Sequence, residues 1–104
     1  MQRNRIEIAG TLQDVEALRV SPAGIPSARF AVRHESVQDE AGIQRAVQVV
    51  MRAVAVGPVA EQVSNAPAGS QVLVTGFMAR AGRNSEYPVL HIQTLKVETR
   101  VGDN

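Results

Sequence analysis

The chain has no cysteine and no tryptophan, and its only aromatic residues are Phe30, Phe77 and Tyr87. Without cysteine, neither a disulfide framework nor a thiolate metal site can form. With so few rings, a core must be built from Val, Ile, Leu and Ala, and abundant Val favours strands. Lysine is scarce as well: Lys96 stands alone beside ten arginines. No apolar run approaches membrane-spanning length, and the opening MQRNRIEIAG lacks the apolar stretch of a signal peptide, so the expectation is a soluble cytoplasmic protein. His34 and His91 are the only histidines. No Ser-His-Asp arrangement, paired catalytic carboxylates, phosphate-cradling glycine loop or metal-ligand cluster stands out, so no enzymatic activity, catalytic residue, metal or cofactor is expected.

What is present fits one domain. The 104 residues bound a single unit over 1–104, with 98–104 expected as a flexible tail. The formal charge of +1 conceals an uneven distribution. Between Glu35 and Gln44 lie Glu35, Asp39 and Glu40 with no base, while elsewhere bases exceed acids. Arginine's planar fork binds phosphate bidentately and stacks on bases, although a GC-rich genome also favours its codons.

Alternation marks the strands. Arg5 to Gly10 places Ile6 and Ile8 on one face and Arg5 and Glu7 on the other. This first strand is expected to continue irregularly through Leu12, Val15 and Leu18. Ser21-Pro22-Ala23-Gly24 reads as a type I turn, and Pro26 can begin a strand but cannot sit in its middle. A second strand follows, with Ala28, Phe30 and Val32 inward and Arg29, Ala31 and Arg33 outward, and then an acidic hairpin loop from Glu35 to Ala41. The third strand runs from about Arg45 to Val56; it is apolar on both faces towards its end, so a bulge or two-sided burial is expected there. Gly57-Pro58 breaks it and opens a short helix carrying Val59, Glu61 and Val63. The fourth strand, Gln71 to Arg80, holds Gly76, which suggests a kink or close backbone approach. The fifth, Pro88 to Val97, turns Leu90 and Ile92 inward and His91 outward. Met51 and Met78 read as core filler. This order, three strands, a helix and two strands, suits an all-β, five-stranded OB-fold barrel, with a small sandwich as the alternative.

The stretch VSPAGIPSARFAVRHESVQDEAG, together with NRIEIAG, the Arg45 to Gly57 strand and GSQVLVTGF in the same order, resembles the PriB family of bacterial primosomal replication proteins, relatives by fold of bacterial single-stranded DNA-binding proteins. The resemblance covers about Asn4 to Val97. It implies an OB-fold homodimer that binds single-stranded DNA, assists the PriA helicase in reloading the replicative helicase at stalled forks, and has DnaT as a further partner. It also places basic residues at Arg19 and Arg45 and in the loop carrying Arg80 and Arg83. Alternation adds Arg29, Arg33 and Arg52. Where the family stacks a Trp, this chain has Gln48, and where it can carry an aromatic at the hairpin exit, Ile43. Tyr87 is then the expected stacking platform. Glu35, Asp39 and Glu40 would repel DNA and are candidates for a basic protein partner, and Arg3, Arg5, Ile6, Glu7 and Ile8 for a dimer contact. The alternative function is a primosome adaptor with residual DNA binding; a sugar- or RNA-binding domain is a third.

Overall fold

A computed structural model describes residues 2–98. The elements in order are β1 (Ile6–Gln13), β2 (Arg19–Val20), β3 (Pro26–Glu40), β4 (Ile43–Val56), α1 (Pro58–Asn65), β5 (Gln71–Arg80) and β6 (Pro88–Val97). The strands form one sheet in the order β1-β5-β6-β4-β3-β2, and a further β1–β3 pairing closes it. Five strands thus make a closed barrel of OB type, and β2 is an extra short strand on the margin of β3.

The closure falls on β1. Residues Ile6 to Thr11 pair with β5, and Thr11 to Gln13 pair with β3. The first strand does not continue irregularly to Leu18. It stops before Asp14, whose positive φ of 54° breaks the extended backbone. Leu18 instead packs against the core from a loop, and Arg19–Val20 pairs with Ser27 and Pro26. Below Thr11, where β1 and β3 share no ladder, His34 spans the gap. It donates through Nδ1 to the Ala9 carbonyl (2.6 Å) and accepts at Nε2 from the Ser36 hydroxyl (2.7 Å).

The largest departure from the sequence reading is the hairpin. Glu35 to Glu40 is strand, not loop, and the connection shrinks to Ala41-Gly42. Both residues take positive φ, 56° and 81°, as a type I′ hairpin turn requires. The ladder from Ser27↔Val56 to Glu40↔Ile43 is unbroken, so of the bulge or two-sided burial expected in this strand the bulge is absent, while Ala53 and Ala55 are buried on one face and Val54 is half-buried on the other. The register irregularity lies instead between β5 and β6 at Thr75/Gly76. Ala31, expected outward, is buried, because it is flanked by Gln13 on one side and Arg52 on the other. The tail expected from residue 98 is held at its first position, where Glu98 N–H donates to the Gln71 carbonyl; the remainder lies outside the described residues.

The interior is narrow and filled accordingly. Leu12, Phe30, Val32, Val72, Val74, Leu90 and Ile92 line it, together with the small Ala28, Ala53 and Ala55. Met51 and Met78 pack against this core. Helix α1 starts with Pro58 at its first position and presses Ala60 and Val63 onto the barrel. At Gly76 a side chain is excluded: a Cβ would overlap the carbonyl oxygen of His91. Gly76→Ala is therefore expected to destabilise the protein by about 3 kcal/mol, the upper end of overpacking costs, read as a lower midpoint in urea unfolding. An unchanged midpoint would mean that the two strands part without cost.

Candidate nucleic-acid interface

The ladders align one residue from each of four strands on the outer face. Arg29 lies opposite Val54, Val54 beside His91, and His91 opposite Phe77. The two rings are parallel, with centroids 4.9 Å apart and planes within 8°. The irregularity at Thr75/Gly76 creates this pair. With the register that holds up to Thr75↔Thr94, Phe77 would meet Ile92, and one residue of shift exchanges faces.

Beside the row is an open cleft of about 380 Å³. Arg29, Arg52 and Arg80 line it, with Val54 and His91 as apolar and aromatic wall and Glu16 at the rim. Glu16 is positioned by its backbone, whose N–H donates to the Arg29 carbonyl (2.9 Å). The cleft is thus bounded by the loop after β1 and by Arg80 and Ala81, the start of the loop between β5 and β6. That is where OB barrels receive extended ligands.

The structure sorts the arginines. Arg33 is paired with Glu35 (3.1 Å), and Arg45 is bonded to Glu40 across the hairpin turn. Among the described residues, Arg29, Arg52 and Arg80 form no ion pair. Strand alternation puts Arg33, Gln48, Arg52 and Arg29 on one face, whereas Arg45 shares the opposite face with Val47 and Met51. Arg19 is exposed on β2 and does not line the cleft. Arg83 is exposed in the loop that follows β5. Tyr87 closes that loop: its carbonyl accepts from Ala81 N–H, its own N–H donates to Ser85 Oγ, and its side of the loop leaves it 80% exposed. It is therefore a projecting ring. It is not the sole aromatic available, because Phe77 and His91 also lie on the outer face.

The other candidates spread along β1 and the hairpin. Asp39 is exposed near the hairpin tip, while Glu35 and Glu40 are engaged with arginines. Ile43, also at the tip, is exposed. On β1, Ile6 and Ile8 pack against the core and Glu7 is exposed; Arg3 and Arg5 are exposed ahead of the strand. From Ile6 to Gly10 the β1 backbone has a ladder on the β5 side only.

Residues 4–94 match the family model described as another single-strand binding protein family. The replication restart protein PriB of Nitrosomonas europaea is 38% identical over 97 residues, covering 93% of this chain and 90% of that protein. The chain belongs to the PriB family of single-strand binding proteins. PriB of Bordetella pertussis is 36% identical over 90 residues, covering 86% of this chain and 84% of that protein. Among solved structures, PriB of Ralstonia solanacearum superposes with a TM-score of 0.83 at 26% identity, covering 94% of this chain and all of that one. A deletion mutant of the single-stranded DNA binding protein of Thermus aquaticus gives 0.73 at 19% identity, over 93% of this chain and 51% of that chain, and supports the OB fold. By its description this is a family of binding proteins, not of enzymes.

The outer rings differ in how far they are embedded, and stability should report it. Tyr87→Ala is expected to shift unfolding free energy by less than about 0.5 kcal/mol, as exposed substitutions do, and Phe77→Ala by about 1–3 kcal/mol. Equal losses in a thermal or denaturant melt would contradict the placement of one of the rings.

Proposed function

We propose that this protein binds single-stranded DNA across the outer face of β3, β4 and β6 and between the loops that bound its cleft, and that it serves replication restart in this way. The observation that carries the reading is the convergence of Arg29, Arg52 and Arg80, none of them in an ion pair among the described residues, on one cleft that holds the single carboxylate of Glu16, next to the outward Phe77–His91 pair. Cations that track phosphates and rings that accept bases are the two components of sequence-tolerant single-strand binding. Membership of the PriB family supports the cellular setting: an accessory of the PriA helicase, with DnaT as a further partner, acting in the cytoplasm while the replicative helicase is reloaded. None of the described helices is long and apolar enough to cross a membrane. A homodimer is expected to form along the half-paired stretch of β1, with Arg5 and Glu7 flanking it. Light scattering should then return twice the chain mass.

Binding is expected to be phosphate-dominated. For single strands, log affinity falls with log salt with a slope of about −0.7 per neutralised phosphate. Fluorescence anisotropy with labelled oligothymidylate, at low and physiological salt and with a duplex control, tests this. Replacing Arg52 and Arg80 together by Ala should flatten the slope by about 1.4 if each neutralises one phosphate. Replacing Arg33 and Arg45 should change it less, because each already has a carboxylate partner. A salt-independent affinity would overturn the reading.

A second reading, a protein-interaction adaptor, is favoured by the hairpin: Val37, Val50 and Ile43 are exposed there beside Asp39. Reversing Asp39 and Glu40 to Lys is expected to weaken capture of the helicase while sparing DNA affinity. Unchanged capture would remove this reading.

A further inference from the structure

We propose that the cleft contains a slot for one unstacked nucleobase, over Val54 and between the free face of His91 and the guanidinium of Arg29. The inference rests on the single-stranded DNA reading and deepens it by naming where a base is held. The geometry comes from the row Arg29–Val54–His91–Phe77. Phe77 and His91 stand parallel on neighbouring strands at 4.9 Å, so Phe77 covers one face of the imidazole. The opposite face looks across Val54, the next position in the row, whose shorter side chain leaves the stack one member short. Beyond Val54 comes Arg29, a planar cation that stacks on rings. Strands lie about 4.8 Å apart, so the backbones at Arg29 and His91 stand about 9.6 Å from each other across Val54. A base between two flat groups needs about 7 Å, twice the ~3.4 Å spacing along a nucleic-acid strand. The slot is wide enough for one base.

The surrounding groups suit a nucleotide more than another flat ligand. Arg52, two positions from Val54 on β4, and Arg80 at the end of β5 face the same cleft and can take the flanking phosphates. Glu16 at the rim offers an acceptor to N–H groups on the base edge. Phe77 braces the imidazole, so the wall does not rotate when a base arrives. The slot uses no aromatic at position 48 or 43, where this chain carries Gln48 and Ile43.

Anisotropy with two ligands of equal length and charge tests the slot: oligothymidylate, and the same backbone without bases. The wild type is expected to prefer the base-bearing strand about tenfold or more, within the range for one stacked base. His91→Leu should erase most of this preference with no change in salt slope; His91→Phe should restore it. Arg29→Ala, at an exposed position, should lower both the preference and the slope, and it probes the opposite wall should the His91 variants fail to fold in a thermal melt. Equal wild-type affinity for the two backbones would overturn the slot and leave phosphate-dominated DNA binding standing. So would a folded His91→Leu that keeps its preference, or an Arg29→Ala that does. Failure of the wild type to bind either ligand, even at low salt, would overturn the DNA reading and the slot together.

Discussion

Everything in this molecule depends on the double engagement of β1. Thr11 sits opposite Gln71 on β5 and opposite Arg33 on β3, so one residue joins the two ends of the sheet. Closure hides edges that Val-rich strands would otherwise offer to other chains. It also sets a steric condition, since the barrel is tight enough that Gly76 meets the His91 backbone without room for a Cβ. A barrel this narrow is filled by aliphatic side chains and a single ring, Phe30. The poverty of the sequence in aromatics is therefore no handicap to the core. Of the chain's three aromatic residues, Phe77 and Tyr87 are left for the outside.

The same closure explains which features the sequence could reveal. Local signals were sufficient for the strand faces holding Phe30 and Val32, for Pro26 as a strand start, for the helix opening at Gly57-Pro58 and for a close approach at Gly76. The hairpin was not readable. From Ser36 to Gln44 both faces are largely polar, so alternation of hydrophobicity gives no signal and a strand resembles a loop. The Phe77–His91 pair was half readable. Alternation turns His91 outward beside Leu90 and Ile92, whereas the outward face of Phe77 emerges from its pairing with His91. That the rings meet depends on a one-residue shift between strands, which only the pairing of β5 with β6 reveals. The cationic site was likewise visible as residues but not as a place. Arg29 and Arg52 follow from alternation, whereas their convergence with Arg80 requires the folded barrel.

Charge in the hairpin now has a physical account. The acids that looked like a separate partner surface are largely partners of neighbouring arginines. Glu35 holds Arg33 two residues before it on the same strand, and Glu40 holds Arg45 across a two-residue turn. Exposed pairs of this kind add about 0–1 kcal/mol to stability. Their larger effect is on the field. They leave the hairpin near neutrality, whereas the cleft keeps three arginines against the one carboxylate of Glu16. At physiological salt, screening acts over about 8 Å, so a phosphate responds to the charges nearest it and not to the protein's net charge. A formal total of +1 is consequently compatible with a locally cationic binding face.

Gln48 stands where the family resemblance implies a stacking ring, and it lies far along the strand from Val54. Gln48 and Val54 share the outer face of β4 and are six residues apart, which corresponds to about 20 Å of extended chain. A ring at 48 would therefore serve a different part of the bound strand from the one lying over Val54. With Gln48 in that place, the Phe77–His91 stack and the arginines around it stand as they are. Stacking contributes roughly 1–3 kcal/mol per base and is indifferent to salt in the first approximation, whereas phosphate contacts weaken steeply with it. A chain that gives up a platform and keeps its arginines moves its affinity from the first kind of energy to the second. On the single-stranded DNA reading, binding would then be graded by ionic conditions and easily released.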